Sequence, residues 1–191
     1  MNQGMAPVDP GDLLGLFVRQ LSQGGVPEGS NLKGAGLGDR AFLTLWPDDL
    51  LLRNARARQF VAVRPNRFPV WQTVVQGAGA PTAGYLGEKT MTGFNTVVSC
   101  LLFSQNNADP ENFSAKAAAE DALGMVALIG KVISALQFWN PLDQSTQKYY
   151  LREPARMTDG GFGLNSRGQK DSFWTTAVID WEVKFTAKFP G

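Results

Sequence analysis

The residue types that usually carry chemistry are sparse in this chain. Its 191 residues include no histidine and one cysteine, Cys100. That excludes a Ser-His-Asp triad, a Cys-His pair and an imidazole metal site, and equally an internal disulfide or a cysteine-cluster zinc site. Cys100 lies in an apolar run, which marks it as a buried structural thiol. Two glycine motifs invite a phosphate reading. Residues 33–39 are KGAGLGD, but the spacing is GxGxG rather than GxGxxG, and no strong strand precedes it. Residues 87–90 are GEKT, where Glu88 separates Gly87 from Lys89 and so breaks the GK[ST] of a P-loop. Both read as plain loop, which argues against an ATPase.

Paired carboxylates are the next candidates, because two of them can hold Mg²⁺ or divide acid and base roles. Asp48 with Asp49 and Glu120 with Asp121 are the pairs present, and neither has a third group at a recognisable spacing. On a helix, Glu120 and Asp121 would point in different directions. Both pairs read as solvated or ion-paired charge. No catalytic, cofactor-binding or metal-ligating residue is assigned, and the chain is not expected to be an enzyme.

The arginines are more informative. Arg53, Arg56, Arg58, Arg64 and Arg67 lie between Asp49 and Glu88 with no acid among them. Three readings stay open. They could meet carboxylates of a neighbouring subunit, which the bidentate fork of arginine suits. They could form a solvated face, or they could contact phosphates. We take Arg56, Arg58, Arg64 and Arg67 as candidate interface residues. A net charge of +1 argues against a whole surface devoted to nucleic acid or anionic lipid. The charged fraction, 18%, is below the usual value of about 25%, which suggests burial against partners.

The elements that would position these residues are punctuated by glycine. Clusters in 24–38, 77–93 and 160–168 predict long loops, set here at 24–40, 76–93 and 158–172. Residues 10–23 predict a helix, with Leu13, Leu14, Leu16, Phe17 and Leu21 on one stripe, Asp9 as its cap and Pro10 in its first turn. Residues 41–46 and 60–64 read as short strands, and 48–57 is ambiguous. The uncharged run 94–105, FNTVVSCLLFSQ, predicts a strand covered on both faces. Residues 113–139 predict a long helix, alanine-rich at first, with Ala122, Met125, Ile129, Val132 and Leu136 on one face. Leu123, Val126, Gly130 and Ile133 widen that face, so the helix is expected between a sheet and a second layer. Within it, 122–139 imitates a membrane span, but Lys131 falls mid-segment and the flanks read as strands of a globular fold. No signal peptide is visible in the opening MNQGMAPVDPGD.

The closing segment alternates strictly. Phe173, Thr175, Ala177, Ile179, Trp181, Val183, Phe185, Ala187 and Phe189 form a dry set; Asp180, Glu182, Lys184, Thr186 and Lys188 form a wet one. Fully extended, this stretch would span about 56 Å, so a bulge or a projecting arm is expected. Residues 148–157 are its expected hairpin partner. The whole is a single α+β domain over 1–191. Its mixed or antiparallel sheet packs on a long helix and a short N-terminal helix, with long loops and an extended C-terminal β-hairpin.

This layout resembles the tail terminator (tail completion) proteins of long-tailed bacteriophages. The short amphipathic N-terminal helix, the strand VAVRP, the strand TGFNTVVSCLLF, the alanine-rich helix and the closing strand AVIDWEVKF carry the resemblance, over roughly residues 8–190. It implies an α+β subunit of a ring, typically a hexamer, that caps the tail tube and joins it to the neck. DNA would pass through the ring without sequence-specific contact, and no cofactor or membrane would be involved. The implied location is the virion tail, after assembly in the host cytoplasm. The long glycine loops depart from the family pattern. Other readings are a different head–tail connector or tail-tube component, a small nucleic-acid-binding module, and a carboxylate enzyme.

Overall fold

Asp9 starts the first helix. Its carboxylate accepts the Gly11 N–H at 2.7 Å, and proline follows it in the first turn of α1 (Pro10–Ser22). Leu13, Phe17 and Leu21, spaced by four, are the buried face. A computed structural model describes residues 5–45, 58–66, 70–71, 89–105, 114–162 and 174–189 of the chain.

Beyond α1 the glycine-rich segment folds back on the helix. The Ala35, Gly36 and Leu37 N–H groups donate to the carbonyls of Gln20, Gln23 and Leu21, and Gly34 N–H donates to Gly25. The backbone donors that a phosphate loop would offer are thus committed to the C-terminal end of α1. Gly34 is required here: a Cβ would stand 2.1 Å from the Gln23 carbonyl oxygen. The buried Gln20 side chain adds bonds to the Leu32, Lys33 and Ala135 carbonyls. Residues 24–37 are therefore a strapped loop, and a short 3₁₀ turn, Gly38–Arg40, leads out of it.

The main sheet has the order β1-β2-β4-β8-β7, from β1 (Ala41–Leu43), β2 (Gln59–Pro65), β4 (Lys89–Gln105), β7 (Arg156–Phe162) and β8 (Trp174–Phe189). A short β3 (Val70–Trp71) also pairs with β4. β1 runs parallel to β2, and the other pairs are antiparallel. β4 and β8 pair from Lys89↔Phe189 to Gln105↔Trp174, with a register shift between Met91 and Phe94. The bulge expected in the closing strand is not in β8: the extra residues fall in its partners, in β4 at this shift and in β7 between Met157 and Asp159, and β8 runs through both without an insertion. The alternation of β8 is borne out from Ala177 to Phe185, with Ala177, Ile179, Trp181, Val183 and Phe185 buried; beyond it Ala187 is buried as expected, but so is Thr186, which was expected on the wet face.

The predicted double coverage of β4 also holds. Val98, Cys100 and Leu102 enter the large core with Val61, Val63 and both helices; Leu101 and Phe103 enter a second cluster on the other face. Phe60 sits at the centre of that cluster, with ring centroids 4.9 Å from Trp174, 6.1 Å from Phe103 and 6.3 Å from Phe42.

The long helix, α2 (Ala115–Leu136), starts at Ser114, whose hydroxyl accepts the Ala117 N–H. It is shorter than the expected 113–139. It ends where Gln137 is extended and Phe138 takes a left-handed φ of 65°. Its buried face is Asp121, Met125, Leu128, Val132, Ala135 and Leu136. Ala122, expected inside, is exposed, because the helix is rotated so that Asp121 turns inward. The second covering layer is not found among the described residues: Leu123 is 68% and Val126 56% exposed.

Two other expectations need correction. Residues 89–93 belong to β4 and 158–162 to β7, although glycine placed both in loops; Gly93 falls at the β4 register shift, and Gly160 and Gly161 lie in an edge strand where no side chain has to pack. The hairpin partner of β8 starts within the expected 148–157, where Leu151 bridges Phe185 and Arg156 and Met157 pair with Glu182 and Trp181, but its main part is β7, which runs on to Phe162. The expected stretch also supplies β6 (Lys148–Tyr149), which pairs with β5 (Leu142–Asp143). The ambiguous 48–57 and the remaining loop segments 76–88 and 163–172 lie outside the described residues.

Val132 is fully buried under α2, whereas Leu123 is bare. Val132→Asp should cost about 4 kcal/mol of unfolding free energy, and Leu123→Gln should stay within about 0.5 kcal/mol. Denaturant titration of both variants checks the orientation of the helix.

Candidate functional site

β2 carries two of the candidate arginines, and its length keeps them apart. Arg58 precedes the strand and Arg64 lies near its far end, six residues on, about 20 Å along the strand. The structure does not bring these two into one patch. Arg56 and Arg67 lie outside the described residues.

Arg58 is exposed and opens into a cleft of about 230 Å³. The cleft is lined by Arg40, Gln59, Ser104, Gln105, Gly124 and the acidic pair Glu120 and Asp121. Gln59 Nε2 bridges the Gly124 carbonyl at 3.0 Å and Ser104 Oγ at 3.3 Å, fixing α2 to the strand ends. Arg40 is held by the Leu37 carbonyl at 2.9 Å. Glu120 is exposed while Asp121 is buried, so the pair diverges as expected. Arg58 makes no ion pair among the described residues; the ion pairs found there are Lys184–Glu153 at 3.3 Å and Arg156–Glu153 at 3.9 Å.

Arg64 belongs to the sheet face opposite the helices. Register places Arg64, Ser99, Asp180 and Asp159 in one row across β2, β4, β8 and β7. Ser99 Oγ donates to Asp180 Oδ1 at 2.5 Å, and Asn66 Nδ2 donates to Asp180 Oδ2 at 3.0 Å. Further along the same face, Asn95 donates diagonally to Glu182 at 2.8 Å. Arg64 Nε is buried with no hydrogen-bond partner among the described residues. The face is therefore graded along its strands, from the aromatic cluster around Phe60 to this polar end. Ser99 is fully buried, so its bond to Asp180 satisfies the sheet and leaves no accessible hydroxyl. The sequence did not single out Asp180, Ser99 or Asn66. The alternation of β8 put Asp180 on the wet face, but its partners come from two distant strands.

Cys100 lies one residue beyond, on the helix side. Burial pushes its thiol from 9.0 up to about 12; the Trp181 indole N–H offsets part of this, and the Asp180 charge adds to it. It is the inert thiol its sequence context implied. Among the described residues, no cluster of three His, Cys, Asp or Glu side chains could hold a metal ion. No helix among them is long and apolar enough to cross a membrane.

Compared with known proteins, the chain matches no family model and no curated protein. Its chemistry has to be argued from its own residues.

Two outcomes test this geometry. Asp180→Ala would leave the buried Ser99 hydroxyl without its acceptor and should cost about 1–3 kcal/mol in denaturant unfolding. Cys100 should resist thiol reagents in the folded protein at pH 8 and react on unfolding. Because the folded thiol titrates above the unfolded one, stability is fully present below about pH 9 and falls as pH rises toward 12. Cys100→Ala should flatten that alkaline decline.

Proposed function

We propose that this chain is a virion structural protein, the tail terminator that caps a phage tail tube and joins it to the neck. It acts as a ring of six copies, without enzymatic activity, and DNA passes through the channel without sequence-specific contact. The tail-tube protein and a neck protein are its partners, and the subunit is made in the host cytoplasm before entering the virion. The observation that carries the reading is the order and scale of the elements: a short amphipathic helix, two adjacent short strands, a strand of 17 residues, a helix of 22, and a closing strand of 16. This is the layout of the tail terminator resemblance. Exposed apolar side chains on α2 and β7, together with the low charge, support an assembled rather than a solitary subunit. A heterologous contact repeated with rotation closes a ring.

Light scattering of the purified protein should give a mass near six times 20.7 kDa, and electron microscopy should give rings of one diameter. Monomer alone, both at high concentration and in purified particles, would end the reading. Salt-sensitive DNA binding by such a monomer would favour a nucleic-acid module instead.

Arg58 tests the arginine part of the proposal. Arg64 does not, since reversing its half-buried charge beside Asp180 would disturb the subunit itself. Arg58→Glu should leave the melting temperature unchanged and raise the concentration at which rings assemble about tenfold, or ~1.4 kcal/mol. Unaltered assembly would make Arg58 a solvated side chain.

A further inference from the structure

The two outer strands of the main sheet are unequal, and among the described residues neither pairs with a further strand. β8 is sealed along its outer side: Val8 bridges Ala187, Leu151 bridges Phe185, and β7 pairs with the stretch from Glu182 to Ala177. β7 is therefore the true edge there, and all seven of its residues are exposed. Natural edges are blunted by lysine, proline, a bulge or a cover. The register shift at Met157 and Asp159 blunts the start of β7, and the Asp159 carboxylate accepts the Gly160 N–H at 2.7 Å, an exposed bond that an incoming strand would have to displace; among the described residues nothing covers Gly161 and Phe162 beyond it.

This edge adjoins an apolar surface. Phe162 is 66% exposed and shares a depression of about 310 Å³ with Ala118, Ala122, Met125 and Val126 of α2. Asp121 and Thr175 also line it, and Val126 and Leu123 of α2 and Met157 of β7 are exposed as well, at 56%, 68% and 45%; exposed apolar side chains in such number point to a protein contact. At the other end of the sheet, β1 is three residues long, and Leu43 is 49% exposed.

Strand direction makes the two edges complementary. β1 is parallel to β2, and three successive antiparallel pairings then lead to β7. β1 and β7 consequently run in opposite directions within one subunit. A second copy, translated and rotated without inversion, would bring its β1 against β7 as an antiparallel pair, the more stable kind. Leu43 and Gly160 lie on the same row, through Val63, Cys100 and Ile179, and that row faces the helices. A Cβ on Gly160 would meet only ordinary contacts, so the space beside it is free.

We infer that β7 is the acceptor edge for β1 of a second copy of this chain, with the incoming Leu43 lying over Gly160 against Phe162 and Val126. The contact is head-to-tail, so each copy uses a different edge. It rests on the ring reading, and it names the surface by which that ring would close.

Cysteine pairing tests it in the full chain. Directly opposed residues of an antiparallel pair have Cα separations that a disulfide can span. Leu43→Cys and Gly160→Cys proteins, mixed under oxidising conditions, should form at least tenfold more reducible dimer than either alone. The chain with both substitutions should form a ladder of covalent oligomers. Circular dichroism checks folding, and Phe42→Cys with Gly161→Cys, the next row along the same edges, serves if the first pair disturbs it. Rings by light scattering with no mixed disulfide from either pair would overturn the edge contact and leave the ring reading standing. Efficient self-linking of Gly160→Cys alone would overturn it in favour of a two-fold contact. Monomers without cross-links would overturn both.

Discussion

The pairing of β4 with β8 is the constraint on which the rest depends. These strands run side by side from Gln105↔Trp174 to Lys89↔Phe189, and everything else is laid against them. β2 and β3 share one flank of β4; β7, Leu151 and Val8 share the outer flank of β8. Both helices lie on one face, where Val98, Cys100 and Leu102 meet Ile179, Trp181 and Val183. Because β4 is covered on its second face as well, a charge within 98–104 would have no route to water, and none occurs there. The polar groups it does bury are answered locally: Ser99 by Asp180, and Ser104 by Gln59.

Legibility followed the same physics. β8 could be read almost residue by residue, since alternation is a direct consequence of one wet and one dry face. The Asp9 cap and the α1 stripe are equally local signals, and they held. Glycine was the weaker guide. It located the strap over 24–37 correctly, but there its role is close approach to the α1 carbonyls rather than mobility. At Gly160 and Gly161 the same residue type is tolerated in a strand because an exposed edge asks for no side-chain packing. The α2 face was drawn too wide and turned: Met125, Val132 and Leu136 are buried as expected, but Ala122, Leu123, Val126 and Gly130 are exposed, and Asp121, Leu128 and Ala135 are buried instead, since alanines fit inside or outside equally well and carry little directional information. Sequence periodicity cannot show which arc of a broadly apolar helix a single sheet will cover.

The arginine stretch marks the limit of reading a site from local sequence. Closeness in sequence suggested one patch, yet an extended strand separates its ends by about 3.3 Å per residue. Arg64 becomes part of a row with Ser99 and Asp180, while Arg58 shares a cleft with Glu120 and Asp121. The acids absent near the arginines in sequence come from α2 and β8, but among the described residues neither Arg58 nor Arg64 forms an ion pair with them.

That redistribution moves the search for function away from charge. The polar row on the face away from the helices is largely committed to its own hydrogen bonds, and the helix side is a buried core with an apolar pocket of about 410 Å³ beside α1. What the described residues leave exposed is the end of the β7 edge beyond Gly160, whose N–H is held by Asp159, and apolar surface on β7 and α2 beside it. Unpaired strand edges and bare phenylalanine both favour a protein neighbour over a small molecule, because a strand satisfies the first and covers the second in one contact. A neighbour of the same sequence has a second requirement, that the surface it offers differ from the one it receives. A sheet whose two outer strands run in opposite directions meets that requirement without any added element, and repeats it with every copy joined.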